Sequence, residues 1–207
     1  MRIVKALVAG TVIALTSASC GSVVRQGRSP VYLVIDSLAA ARGGGSATFG
    51  NPLYSDVITN ITSPPPCSPT NVCPTIFSDL GQVTLRIVLK DLGPENTLLP
   101  SPHNAVTITR YRVDYRRADG RNTPGVDVPY GFDGGITGTV TENGSVVLPF
   151  ELVRHAAKME SPLVQLKVNP TIITTHAEVS FSGRDQVGNE ISVSGNVQVD
   201  FGNFGDE

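Results

Sequence analysis

Several features that define large classes of protein are missing from this sequence of 207 residues. Its N-terminal apolar run, Ala6 to Leu15, has ten residues, whereas a transmembrane helix needs roughly 20. Basic residues do not outnumber acidic ones, so no partnership with nucleic acid is expected. No nucleophile motif, paired carboxylates or phosphate-binding loop stands out, and the cysteines and histidines lack zinc-ligand spacing. We therefore expect no enzymatic activity, no metal site and no cofactor.

The N-terminus has the pattern of a secretory signal. Arg2 and Lys5 precede the apolar run, and the small residues at 16–19 lead from it to Cys20. A positive start, a short apolar core and a small-residue end are typical of a signal peptide that is removed on export. Residues 1–19 are therefore assigned as a signal peptide and excluded from the fold.

The end of this segment resembles the signal of a bacterial lipoprotein precursor, in which a small residue precedes a cysteine that is lipidated. Ala18, Ser19 and Cys20 match that pattern, whereas the family usually has leucine at the position of Ser17. The resemblance implies a lipid on Cys20 and anchoring in a membrane of the cell envelope. Gly21 after the cysteine implies the outer membrane, on its periplasmic or surface face. The alternative is ordinary cleavage after Ala18 or Ser19, which would release a soluble periplasmic protein.

Removal of residues 1–19 leaves 188 residues, enough for one domain with a real core. This mature chain has 14 basic and 18 acidic residues, a formal net charge of about −4. Residues 20–30 lack periodicity and are interpreted as a lipidated tether. Glycine, proline, threonine, serine and valine recur through 31–207, which favours strands and turns over helices.

Alternation of apolar and polar residues predicts most of the strands. The clearest example is 82–91, where Val83, Leu85, Ile87 and Leu89 fall on one face. In the strand predicted over 105–117 the alternation changes phase, which predicts a β-bulge at Thr109 and Arg110. We also expect a strand over 31–36 followed by a helical turn at 37–42, a hairpin over 136–152 with Val140 opposite Val146, a helical turn at 154–160 and a strand at 164–168.

The chain ends in its strongest predicted hairpin, residues 177–201. Matching the apolar faces of its two strands requires a loop at Gln186 to Gly188, with Phe181 opposite Val193 and Val179 opposite Gly195. The stretch GRDQVGNEISVSG, with its D-x-x-G-N turn, resembles the last hairpin of bacterial immunoglobulin-like or fibronectin type III-like domains. We therefore expect an all-β fold, a single antiparallel immunoglobulin-like β-sandwich of about eight strands over 31–207. An up-and-down barrel is the alternative.

A proline-rich segment, SPPPCSPTNVCPT, holds the two cysteines that remain beside Cys20. In an exported protein we expect Cys67 and Cys73 to form a local disulfide that staples this loop. Such a stiff, cross-linked loop is also a plausible recognition surface.

Two further stretches are candidate binding surfaces. The bulged strand places Arg110, Arg112 and Arg116 on its outer face, where they could bind an anionic partner or simply be solvated. The long polar loop over 119–135 carries Tyr130 and Phe132 near its end, and loops of this length are commonly functional.

Three classes of function remain. The first is a tethered, non-catalytic module that binds an envelope protein or a glycan. The second is a structural or accessory subunit of an envelope assembly. The third, an enzyme, is disfavoured because no catalytic constellation is visible.

Overall fold

The protein is a two-layered β-sandwich, described from a computed structural model over residues 28–45, 48–93, 98–142 and 144–205. The predicted signal peptide and Cys20 lie outside the described residues. The smaller sheet contains β1 (Val31–Ala41), β5 (Asp79–Leu89) and β8 (Val146–Val153), in the order β1-β5-β8. The larger sheet has the order β2-β10-β9-β6-β7, with β2 (Leu53–Asp56), β6 (Val106–Arg116), β7 (Phe132–Val140), β9 (Ile173–Asp185) and β10 (Glu190–Gly202). The two sheets together hold eight strands, as the sequence predicted.

The long strands follow an immunoglobulin-like order. Counted without the short strands, the first, second and fifth strands form the smaller sheet, and the third, sixth and seventh lie in the larger sheet, as in immunoglobulin domains. The fourth long strand, β7, joins the larger sheet beside β6. All pairs are antiparallel except that β2 runs parallel to β10. A separate hairpin joins β3 (Thr59–Ile61) to β4 (Cys73–Thr75).

The core between the sheets is built from the alternating apolar positions. Val83, Leu85 and Ile87 are buried, as their spacing predicted. An aromatic cluster bridges the layers: the ring centroid of Phe150 in β8 lies 5.3 Å from that of Phe181 in β9 and 5.2 Å from that of Tyr111 in β6. Both tyrosines of the bulged strand, Tyr111 and Tyr115, are buried here.

Two local predictions about register are confirmed. β6 shifts its pairing with both neighbours between Ile108 and Arg110, so the predicted bulge is present. In the final hairpin, Phe181 pairs with Val193 and Val179 pairs with Gly195. Because a one-residue slip would turn each apolar set toward solvent, the pattern alone was sufficient to fix both registers.

Three other local predictions are wrong. The segment 37–41 continues β1 instead of forming a helical turn, because pairing with β5 through Ala41 overrides the helical preference of alanine. The segment 163–167 is a 3₁₀ helix instead of a strand, with Leu163 and Leu166 buried at its three-residue repeat. β7 and β8 do not form a hairpin, since β7 pairs with β6 and β8 pairs with β5. Both strands face the common core from opposite sheets, so they share the alternation that suggested the hairpin.

The two ends of the sandwich differ in character. One end, called here the tether end, holds the start of β1, the residues 90–93 and 98–105 between β5 and β6, and the turn at 186–189. The opposite end, called the loop end, holds the described parts of the connection between β1 and β2, 42–45 and 48–52, and the long connections at 57–78, 117–131 and 154–172. The single α-helix of the described residues, α1 (His155–Met159), lies at the loop end, where the sequence predicted a helical turn.

A buried ion pair fastens α1 to the smaller sheet. Lys158 Nζ lies 2.8 Å from Asp79 Oδ2, and their side chains are 1% and 0% exposed. The same carboxylate accepts hydrogen bonds from the Ser55 hydroxyl at 2.6 Å and from the backbone N–H of Gly43 at 2.9 Å. Charged groups that are buried away from water need ion-pair and hydrogen-bond partners, because burial removes their hydration. This cluster therefore fixes the position of α1.

Candidate binding site at the loop end

The connection 117–131 is held in shape by its own hydrogen bonds. The carboxylate of Asp119 accepts from Arg117 at 2.7 Å and from Arg121 at 2.9 Å. Hydrogen bonds from these two guanidinium groups hold the pKa of Asp119 well below its usual range, and the bond from Arg117 has the largest effect. Further along, the Thr123 carbonyl accepts from the N–H of Asp127 at 2.9 Å. The loop therefore presents its surface from a defined backbone.

Tyr130 projects from the end of this loop. Its side chain is 59% exposed, and its ring packs over Gly125, where an added Cβ would collide with it. Gly125 has φ of +77°, in the left-handed region that favours glycine. Glycine at this position thus serves both the turn and the placement of the tyrosine ring.

A shallow groove separates Tyr130 from α1. It has a volume of about 170 Å³ and is lined by the 129–132 segment, Arg154, Ala156, Ala157, Glu160 and Ser161. Ligand pockets for drug-sized molecules usually have about 300–1,000 Å³. This groove therefore suits one sugar ring or one amino-acid side chain.

Arg154 is the most firmly placed polar group of the groove. Its guanidinium carbon lies 3.8 Å from the ring centroid of Phe132, and it donates a hydrogen bond to the carbonyl of Asp133 at 2.8 Å. Stacking on an aromatic ring orients the planar guanidinium, which can then pair with a carboxylate or a sugar hydroxyl. Its side chain remains 44% exposed, and its Nε lies 3.9 Å from a carboxylate oxygen of Glu151. An oriented cation beside an exposed aromatic ring is a recognisable binding arrangement.

Phe132 does not belong to the exposed surface predicted from the sequence. It is 7% exposed and packs edge-on against Tyr111, with 6.1 Å between ring centroids. As the first residue of β7, it already follows the inward alternation of that strand. It contributes to the groove from below, by supporting Arg154.

The arginine stripe lies on the outer face of the larger sheet, away from this groove. Arg112 forms ion pairs with Asp114 at 2.7 Å and with Asp133 at 2.8 Å, and Arg116 pairs with Glu178 at 3.3 Å. Among the described residues, Arg110 has no ion-pair partner. Most of the positive charge of the stripe is therefore balanced by neighbouring carboxylates.

The cysteine-containing segment forms a stapled projection at the loop end. Cys67 and Cys73 form the predicted disulfide, with 5.4 Å between their Cα atoms. Within the ring, Ser68 and Asn71 exchange backbone hydrogen bonds of 2.9 and 3.0 Å. The prolines at 64–66 and 69 are exposed. The segment is thus a rigid projection with an apolar, solvent-facing surface.

The end of α1 and the connection after it carry several exposed apolar side chains. Met159, Val164, Val168 and Ile172 are all at least 36% exposed. Large apolar groups clustered in one surface segment favour contact with a protein. The sequence predicts a strand at 164–168 and gives no sign of this exposure.

Sequence reasoning also missed Arg154 and Lys158. Both lie in RHAAKME, for which the sequence predicts only a helical turn. Neither a stacked arginine nor a buried lysine has a local signal, because each depends on a partner distant in sequence.

The described residues contain neither a metal-ligand cluster nor a membrane-spanning helix. Across the part of the chain that the structure describes, no three His, Cys, Asp or Glu side chains gather as a metal site would require. No helix in the described ranges combines the length and the apolar character needed to span a bilayer.

No protein-family model matches the chain, and no curated protein matches it significantly.

Proposed function

We propose that this chain is an exported cell-envelope protein, anchored through a lipid on Cys20, whose loop end binds a partner without catalysing a reaction. The observation that supports this most strongly is the difference between the two ends of the sandwich. The chain enters the body at the tether end, and four long connections lie at the opposite end, against one at the tether end. A scaffold with its attachment at one end and structured loops at the other is the usual arrangement of a binding module.

The length of the sandwich determines how far the loop end would stand from the membrane. β6 has 11 residues, so the sandwich is about 36 Å long at a rise of roughly 3.3 Å per residue. A lipid at the tether end would hold the groove and the stapled projection at about that height above the leaflet. The ligand would then bind on the side of the protein that faces away from the membrane that holds the lipid anchor.

The chemistry of the groove indicates the kind of ligand. Tyr130 offers an exposed ring, Arg154 an oriented cation and Glu160 a carboxylate, all around a space for one ring or side chain. Aromatic rings bind the apolar faces of sugars, and a fixed guanidinium binds carboxylates. An envelope glycan or a side chain of an envelope protein fits this combination.

Export is supported by the disulfide. Disulfides persist in oxidising compartments and are rare in the cytosol, and this chain forms one between Cys67 and Cys73. The outer membrane, implied by Gly21, is the proposed location, and a soluble periplasmic form is the alternative.

A second candidate is an accessory subunit of a stable envelope assembly. It is favoured by the exposed apolar side chains of Val164, Val168 and Ile172. A permanent subunit interface would cover such groups, whereas a transient glycan site would leave them in water.

The test compares variants of the groove with matched variants elsewhere. Tyr130→Ala is paired with Tyr32→Ala, because the two tyrosines are 59% and 56% exposed. Arg154→Ala is paired with Arg110→Ala, which also tests the arginine stripe. Photo-cross-linking in intact cells identifies the partner, and binding of that partner to each purified variant is then measured.

Loss of a hydrogen bond from a charged group, or of an aromatic ring that packs on the ligand, should weaken binding by about tenfold or more. We expect this weaker binding for the two groove variants and unchanged binding for the two matched variants. Thermal unfolding confirms that each variant is folded. If Arg110→Ala abolishes binding and both groove variants bind normally, the groove is rejected in favour of the stripe.

A further inference from the structure

The tether end carries exposed aliphatic side chains in two separate connections. Leu99 is 77% exposed and Leu98 53% exposed, in the segment before β6, and Val187 is 81% exposed at the tip of the β9–β10 turn. Asp185 and Val106 are directly paired, which brings the ends of these two connections to the same edge of the body. A single exposed leucine needs no explanation, but a group at one end of a body indicates contact with another apolar phase.

The chain leaves the sandwich at this same end. The Pro30 carbonyl accepts a hydrogen bond from the N–H of Lys90 at 2.9 Å. Ser29 is 1% exposed; its hydroxyl faces the Asp185 carboxylate, without a hydrogen bond of good geometry among the described residues. The described chain therefore begins beside the turn that carries Val187.

The tether is too short to allow the opposite orientation. Eight Cα-to-Cα steps separate Cys20 from Arg28, and they span at most about 28 Å. With the loop end on the leaflet, the tether end would stand about 36 Å above it, beyond that reach. A lipid on Cys20 thus requires the tether end or a side of the sandwich to lie close to the membrane.

We propose that the tether end rests on the leaflet that holds the Cys20 lipid, with Leu98, Leu99 and Val187 entering its interfacial region. The inference rests on the lipid anchor of the proposed function and adds an orientation to it. Insertion of these side chains removes their apolar surface from water, and it supplies a second membrane contact in addition to the acyl chains.

Neighbouring side chains fit the same interface. Lys90 Nζ lies 5.2 Å from the ring centroid of Tyr32, which is itself exposed near the start of β1. Tyrosine is enriched at the headgroup level of membranes, and lysine reaches toward anionic headgroups. The loop end also exposes apolar groups, but the tether holds them away from this leaflet.

The experiment places an environment-sensitive fluorophore at one position at a time in the full-length, lipidated protein. Leu99→Cys and Val187→Cys report on the tether end, Val168→Cys on the loop end and Asn196→Cys on the outer face of the larger sheet. Each variant has one free thiol, because Cys67 and Cys73 are joined and Cys20 carries the lipid. The proteins are reconstituted in phosphatidylethanolamine and phosphatidylglycerol vesicles that contain a spin-labelled lipid as quencher.

Flotation with the vesicles reports on the anchor, and fluorescence reports on the orientation. We expect blue-shifted emission and severalfold stronger quenching at positions 99 and 187 than at positions 168 and 196. A protein that floats with water-like emission at 99 and 187 overturns the inference alone, as does preferential quenching at 196 or 168. A protein that does not float rejects the anchor, and with it both the proposed function and this orientation.

Discussion

Replacing Lys158 with methionine should remove a large part of the stability of this protein. Among the described residues, Lys158 is the one charged partner of Asp79, and both side chains are essentially without contact to water. Methionine has a similar volume but cannot donate a hydrogen bond, so the carboxylate would remain buried without a counter-charge. Breaking a buried ion pair from one side costs about 3–5 kcal/mol.

The structure supports a value within this range. After the substitution, Asp79 would retain two neutral donors, the Ser55 hydroxyl at 2.6 Å and the Gly43 N–H at 2.9 Å. These bonds limit the loss but do not supply the missing charge. Because domains are typically stable by only about 5–15 kcal/mol, the loss would be evident as a large shift of the unfolding midpoint.

Urea denaturation at pH 7 with the disulfide intact measures the effect. Lys158→Met combined with Asp79→Asn should recover about 1–3 kcal/mol of the loss, since the amide removes the unpaired charge and still accepts hydrogen bonds. Lys167→Met is the matched control, because Lys167 lies on the neighbouring 3₁₀ helix and is only partly buried. It should change stability by less than about 0.5 kcal/mol.

Two results would refute this reasoning. One is a Lys158→Met protein whose unfolding free energy lies within about 1 kcal/mol of the parent, well below the cost of breaking a buried pair. The other is a double variant that is less stable than Lys158→Met, which would show that charge burial is not the source of the loss.

Three further predictions concern the rest of the sandwich. Replacing both Cys67 and Cys73 with serine should lower stability by about 2 kcal/mol through the freed chain entropy, measured by urea denaturation; no change on reduction of the parent would contradict this. Burial acts to raise the pKa of Asp185, but hydrogen bonds within its turn outweigh it and lower that pKa. Its stabilisation is thus complete above the usual value near 4 and is lost as pH falls through the lower folded value. The unfolding temperature of Asp185→Asn should therefore vary less with pH below about 4 than that of the parent protein. An equal pH dependence in the two proteins would count against this role of Asp185. Gly183→Ala would place a Cβ against the backbone of β6 and should cost about 1–3 kcal/mol, whereas Gly135→Ala, which meets nothing within 4 Å, should be nearly neutral by the same unfolding assay.

The sequence was most informative where one face of a strand is buried and the other is wet. The phase change at Thr109 and Arg110 located the bulge, and the matched faces of the final hairpin located its turn. In both cases the spacing of the apolar residues determines the register, because a wrong register would expose core side chains to solvent.

Pairing partners could not be deduced in the same way. Val140 and Val146 lie on strands that alternate identically, yet the strands belong to different sheets. Alternation tells which side of a strand is buried, but two strands that face one core from opposite layers give the same pattern.

The candidate site was predictable only in part. A long loop carrying Tyr130 was visible in the sequence, but the loop ends at Gly131 instead of Gly135, because β7 begins at Phe132. The groove itself depends on Arg154, which stacks on a phenylalanine 22 positions earlier in the chain. Long-range contacts of this kind leave no local pattern.

Mass spectrometry of the N-terminal peptide from native membranes tests the central claim most directly. The account predicts a peptide that begins at Cys20 and carries the added mass of acyl chains. An unmodified peptide beginning at Ser19 or Cys20, or a chain that retains residues 1–19, would contradict it.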